Sequence, residues 1–202
     1  VGFTSLSERL DPERVKNLVD RCVDRLAEDI TSFGGQVDKI VGDALIALFG
    51  ATTAHEDDPE RAVRAALRMQ ATLCEEAEVI GQDLQMRVGI NTGEVLVGAM
   101  NAAGSVTAMG DVVNTASRLQ AAAHPGEVLV GPSTRAATSL TIAYEARGPI
   151  AAKGREEPVD TWLALSPIVP PGYRARREGV PLVGRQHEVA VLQRAVDLSV
   201  TN

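Results

Sequence analysis

The chain has 202 residues, 45% of them apolar, which is enough for one full domain with a packed core plus a remainder and excludes disorder. Twenty Lys and Arg against 27 Asp and Glu leave a net charge of -7, so there is no basic footprint for nucleic acid or an anionic membrane. One Trp, two Tyr and three Phe are too few to stack single strands, and the core must be mostly aliphatic.

Asp11-Pro12-Glu13 reads as an N-cap followed by Pro at the first helical position. Val15, Leu18, Val19, Cys22, Val23, Leu26, Ala27 and Ile30 then form a one-sided apolar stripe, which Gly34-Gly35 ends. Val37 to Val41 and Ala44 to Phe49 are short apolar runs separated by Gly42-Asp43, a tight hairpin with Asp43 at its tip. Asp58-Pro59-Glu60 repeats the helix start, and Ala62, Ala66, Met69, Leu73, Ala77 and Ile80 carry a second stripe to about Gly81. Leu84 to Asn91 and Glu94 to Met100 are strand-like and predict a hairpin through Thr92-Gly93. A third helix is expected from about Asp111 to Ala123, then short strands at 128–130, 141–146 and 159–165.

This order lacks the strict alternation of a doubly wound parallel sheet and points to α+β. A ferredoxin-like fold, a mainly antiparallel sheet with helices covering one face, fits if one more strand precedes Val1. Cys22 and Cys74 match neither a disulfide framework nor a CxxC clamp and read as reduced core residues on apolar helix faces. The longest apolar stretch, around Ala44 to Ala51, is far below the roughly 18 to 20 residues that span a bilayer. From Ser166 to Pro181 the chain turns Pro-rich and basic and reads as a linker, after which 182–202 begin something new.

Hydrolase and metalloprotease templates are absent: His55, His124 and His187 are far apart, with no HExxH. Gly179 and Gly184 have P-loop separation, but Arg185-Gln186 stands where Lys-Ser/Thr is needed. Taken alone, Asp43 is a turn residue, Lys39 an exposed strand lysine, and Asn114 with Arg118 one polar face of a helix turn.

Together the residues resemble a family. Val1-Gly2-Phe3-Thr4, Lys39-Ile40-Val41-Gly42-Asp43-Ala44, Met86-Arg87-Val88-Gly89-Ile90-Asn91-Thr92-Gly93, the stretch from Gly110 to Leu119 and Lys153-Gly154-Arg155 resemble, in order and spacing, the class III nucleotidyl cyclase catalytic domain. The resemblance covers 1–165 and implies cyclisation of a nucleoside triphosphate by attack of the ribose 3′-hydroxyl on the α-phosphorus, with pyrophosphate leaving. It implies two divalent cations per site, Mg2+ or Mn2+, since hard cations take carboxylate oxygens and the reaction builds charge on entering and leaving oxygens.

By this resemblance Asp43 is one metal-binding aspartate, and the second falls just upstream of Val1, in a first strand that the chain lacks. Arg87 meets the terminal phosphates; Lys39, with Thr107 as partner, recognises the base and favours adenine over guanine. Asn114 orients the ribose, while Arg118 and Lys153 stabilise phosphate charge. The resemblance implies a homodimer with sites at the interface, and the stretch from Gly98 to Val106 as an exchanged arm. The expected activity is adenylate cyclase, cytoplasmic, acting on ATP in cyclic-nucleotide signalling with no nucleic-acid partner. The alternatives are a guanylate cyclase or a catalytically silent regulatory domain. Pro181 to Glu188 resembles the start of an AAA-type ATPase domain, which would make the parent a regulated cyclase. Without its first strand the 202-residue piece is expected to fold poorly or turn over slowly.

Overall fold

The computed structural model describes residues 11–42, 44–81, 84–99, 106–150 and 158–172, with short pieces at 184–185, 187–191 and 194. Helix α1 (Pro12–Ser32) opens as its sequence dictates: the Asp11 carboxylate accepts the Glu13 amide at 3.1 Å, and Pro12 follows in the first turn. Strands β1 (Gln36–Val41) and β2 (Ala44–Leu48) form an antiparallel hairpin, with Val41 opposite Ala44 and Gly42 at a φ of 64°. Helix α2 (Asp58–Ile80) ends on Gly81, whose left-handed φ of 67° lets its N–H reach the Ala77 and Glu78 carbonyls.

The second half builds a four-stranded sheet in the order β3 (Val88–Ile90), β6 (Val128–Val130), β8 (Val159–Pro167), β7 (Ile142–Ile150). Strands β4 (Leu96–Ala99) and β5 (Val106–Met109) form a separate antiparallel hairpin, and α3 (Asp111–Ala122) follows directly. Of the five strand pairings among the described residues, only β3 with β6 is parallel. The expected mainly antiparallel α+β architecture is therefore present.

The expected hairpin through Thr92-Gly93 is not. Strand β3 pairs with β6, and β4 pairs with β5. Helices also cover both sheet faces rather than one. Val63 and Ala66 of α2 pack with Val128 and Val130, while Leu119 and Ala123 of α3 pack on Leu129. Alternation along β6 sends its side chains to opposite faces, so all three residues are at most 3% exposed.

A short helix, α4 (Pro132–Thr138), was not expected, because its buried side chains are Thr134 and Thr138 rather than an apolar stripe. The Thr138 hydroxyl lies 2.5 Å from that of Tyr144, and Arg135 sits over the Tyr144 ring, 5.5 Å from its centre. Burial pushes the Tyr144 phenol above its ordinary range. Cys22 is buried as expected, but Cys74 is exposed, at the margin of the α2 stripe. Packing also continues into the stretch read as linker: Arg64 donates to the Val169 carbonyl at 2.7 Å and the Ile168 amide to Thr141 at 2.9 Å.

Helices α1 and α2 meet through charge as well as apolar contact. Leu18 and Cys22 pack against Leu73, and beside them Glu76, 1% exposed at its side chain, is bonded by Arg25 and paired with Arg21 at 2.9 Å. The Arg25 hydrogen bond, foremost, holds the Glu76 carboxyl below the usual carboxylate range. One turn away along each helix the Thr72 hydroxyl donates to Asp29 at 2.6 Å. Between the β1–β2 hairpin and the four-stranded sheet is an apolar cavity of about 510 Å³, lined by Leu45, Phe49, Met69 and Ile90 among others.

Candidate active site

Lys39 lies on β1 opposite Ile46, on the sheet face turned away from the helices, because the next pair along, Val37 and Ala47, packs against Leu26 and Ile30 of α1. Its side chain is 38% exposed, and Nζ is 3.8 Å from the Asp38 carboxylate. Strand β5, which carries Thr107 opposite Gly98 of β4, lies against β1. The two residues assigned to base recognition thus stand on neighbouring strands.

Arg87 immediately precedes β3 and is half-buried; its Nε is buried with no hydrogen-bond partner among the described residues. A buried donor left open is costly unless something accepts from it. An anionic ligand group would do so.

The motif glycine two residues later has a packing cause. A Cβ on Gly89 would come within 2.2 Å of the Ala116 carbonyl oxygen and 2.3 Å of the Gln120 nitrogen, both backbone atoms of α3. Only glycine allows this helix so close to β3. The contact settles which way α3 faces: Thr115 and Leu119 turn inward, leaving Asn114 exposed and Arg118 half-buried one turn apart on the outer side.

Asn91, Thr92 and Gly93 supply the rest of that support, a role the sequence reading missed by treating them as a hairpin turn. The Asn91 amide donates to the Val112 carbonyl at 3.3 Å, and the Thr92 and Thr134 hydroxyls are 2.8 Å apart. A Cβ on Gly93 would meet the Val112 side chain at 2.7 Å. These residues dock the first turn of α3 and fix α4 beside it. The detectable signal was the motif itself, which places a polar Asn-Thr pair directly after a strand.

Asp43 and Lys153 lie outside the described residues, as do the side chain of Thr107 and residues 100–105 of the expected arm. Among the described residues no group of three or more His, Cys, Asp or Glu side chains could hold a metal ion. The described residues therefore do not make a cation site by themselves, and Asp43, of the oxygen-donor type that a hard cation takes, is the one ligand nominated.

The fold and the polar face of α3 define a class, and comparison with known proteins identifies it. Residues 1–165 match the family described as "Adenylate and Guanylate cyclase catalytic domain", and the chain belongs to that family. The chain is 31% identical over 176 residues to "Adenylate cyclase 1" of Rhizobium meliloti (strain 1021), covering 82% of this chain and 26% of that protein.

Among solved structures, the adenylyl cyclase CyaB from P. aeruginosa superposes with a TM-score of 0.78 at 29% identity, over 89% of this chain and 92% of that one. The guanylyl cyclase Cya2 gives 0.75 at 34% identity, over 81% of this chain and 86% of that one. The fold is that of the class III cyclase domains, and the chain spans about a quarter of the length of the Rhizobium relative. The family's chemistry is that of a lyase-type cyclase making a cyclic nucleotide, and its members generally use divalent metal ions. Among the described residues no helix is long and apolar enough to cross a membrane.

Proposed function

We propose that this domain is an adenylate cyclase, converting ATP to 3′,5′-cyclic AMP and pyrophosphate in cyclic-nucleotide signalling. The observation that carries the reading is Lys39 on β1 beside the strand of Thr107. A lysine ammonium donates and never accepts, which suits the acceptor nitrogen at the adenine edge and opposes the donor that guanine presents there. The relationship to the Rhizobium adenylate cyclase supports the same choice.

In the proposed reaction the ribose 3′-oxygen forms a bond to the α-phosphorus, the bond from that phosphorus to the pyrophosphate oxygen breaks, and the hydroxyl proton is released. Asn114 orients the ribose; Arg118 and Lys153 oppose charge on the phosphorane-like transition state; Arg87 holds the terminal phosphates. Two cations per site, Mg2+ or Mn2+, would supply Lewis acidity and charge neutralisation when bound, with Asp43 among their ligands. The site forms between two copies in a homodimer, Arg87 and Asp43 from one copy facing Lys39, Thr107, Asn114, Arg118 and Lys153 of the other. The domain occupies 1–165 and packs on through Val169, with a linker from there to 181 and an ATPase domain beginning at 182, in a cytoplasmic parent protein.

The test is cyclic nucleotide production by the full-length protein, with ATP and GTP offered separately alongside Mg2+ or Mn2+. Cyclic AMP, abolished by Asp43→Ala, is the expected result. Cyclic GMP from GTP instead would favour the guanylate reading that the likeness to Cya2 supports. No product from a folded dimer would replace both with a silent regulatory domain.

A further inference from the structure

Asp38 is not among the residues assigned to the reaction, yet its surroundings are unusual for a carboxylate. Side chains along a strand alternate between faces, so Asp38 and Lys39 should point to opposite sides of the hairpin. That alternation is interrupted here, because the β1–β2 register shifts between Val37 and Lys39: Val37 is opposite Ala47, Lys39 is opposite Ile46, and Asp38 is the extra residue. Such a bulge re-aims one side chain. Here the Asp38 carboxylate comes within 3.8 Å of the Lys39 ammonium, on a strand that β5 also contacts.

There the Asp38 side chain is 1% exposed, and neither carboxylate oxygen has a hydrogen-bond partner among the described residues. Its charged neighbour is the Lys39 ammonium at 3.8 Å, too long for a hydrogen bond but close enough to orient the amine. Burying a carboxylate with so little compensation is costly, and the bulge that brings it there is an additional departure from regular pairing. A surface lysine needs no such neighbour. A lysine that must present its ammonium at one point does, since four rotatable bonds otherwise spread it over many positions.

We propose that Asp38 is a positioning and specificity-determining residue, which holds the Lys39 ammonium against the purine edge and thereby sets the choice between ATP and GTP. The inference rests on the reading of Lys39 as the base-recognising residue. Asp38 acts through Lys39 and touches none of the reacting atoms, so its loss changes recognition more than the chemical step.

The experiment compares wild type, Asp38→Asn, Lys39→Ala and the double variant in the full-length protein, measuring kcat and KM with ATP and with GTP. For Asp38→Asn the expected result is a KM for ATP about tenfold higher, kcat within about twofold and an ATP:GTP preference about tenfold lower, the scale of one charge-assisted contact. In the Lys39→Ala background the same substitution should change the preference no further, because the lysine it acts through is gone. A preference unchanged in Asp38→Asn, or a fall that adds fully to that of Lys39→Ala, overturns the proposal.

If Asp38→Asn does not fold, Asp38→Glu keeps the charge and displaces it by one methylene; it should lower the preference by a smaller factor, and no change overturns the proposal. If wild type makes no cyclic nucleotide, the cyclase reading fails separately. Competition of ATP and GTP against a fluorescent nucleotide then decides: a binding preference for ATP lost in Asp38→Asn supports the positioning role. Equal competition in both proteins, or no nucleotide binding, overturns it.

Discussion

Two contacts of a helix with its neighbour are built in opposite ways here. Helices α1 and α2 are joined through long side chains, with Arg21 and Arg25 reaching the buried Glu76 and Thr72 reaching Asp29. Helix α3 meets β3 through backbone, at a point where even one methyl group would collide with the Ala116 carbonyl. Flexible side chains tolerate small shifts between the elements they join; a backbone contact does not. The rigid contact is the one under Asn114 and Arg118, which suggests where the molecule needs fixed geometry and where it needs only cohesion.

This contrast can be broken experimentally, beginning with the outer face of α3. Arg118→Ala is expected to lower turnover by about 100- to 1000-fold, as loss of one preorganised charge donor does, with a nearly unchanged Tm. Near-normal turnover would remove Arg118 from the mechanism, and Asn114→Ala provides the parallel test. Gly89→Ala comes next: overpacking against backbone should cost about 1–3 kcal/mol and lower activity as α3 is displaced. A thermal melt alongside an activity assay checks it, and retained activity at reduced Tm would show that α3 need not be held so tightly.

On the other side, Glu76→Gln should cost stability without altering the ATP:GTP preference, by about 1.5–3 kcal/mol for lost hydrogen bonds to a charged group. Its pH dependence has a definite sign. The folded carboxyl is held below its unfolded value, so the wild-type advantage over Glu76→Gln is fully present above the unfolded value, roughly pH 4.3, and is lost as pH falls through the lower folded value. Melting both proteins from pH 7 to pH 3 reads it directly. The smallest effect belongs to Asp11→Ala, which removes the α1 cap and should lower stability by about 1 kcal/mol, seen as a lower midpoint in urea.

The sequence revealed those parts of the molecule that are locally determined. Helices α1 and α2 were legible to within a residue or two because Asp-Pro-Glu starts and glycine stops act on the chain beside them. The β1–β2 hairpin was legible for the same reason. What escaped was set by distant contacts: Thr92-Gly93 looks like a turn, but Thr92 bonds Thr134 and Gly93 makes room for Val112. The parallel pairing of β3 with β6 joins segments 40 residues apart, at Val88 and Val128, and leaves no local mark. Helix α4 was missed because threonine, not an aliphatic stripe, fills its buried side.

Candidate residues were legible only as an ordered set, since each alone is an ordinary surface residue. The structure adds reasons for the motif's otherwise silent members. Gly89 is there for the approach of α3, and Asn91 for the bond that docks its first turn. It also brings forward Asp38, which the sequence did not single out because a bulge is invisible in a pattern of alternating residues.

Strand β6, covered by α2 on one face and α3 on the other and flanked by β3 and β8, has a consequence for how the domain comes apart. Its amides have no local route to solvent: exposing them means lifting two helices or separating three strands. In deuterated water Val128 to Val130 should be among the last protons to exchange, at a rate that reports global unfolding, while the β1–β2 hairpin, with exposed Ile40 and Val41, exchanges through smaller openings. The centre of the sheet thus serves as an internal clock for opening of the whole domain, against which looser parts of the same chain are timed.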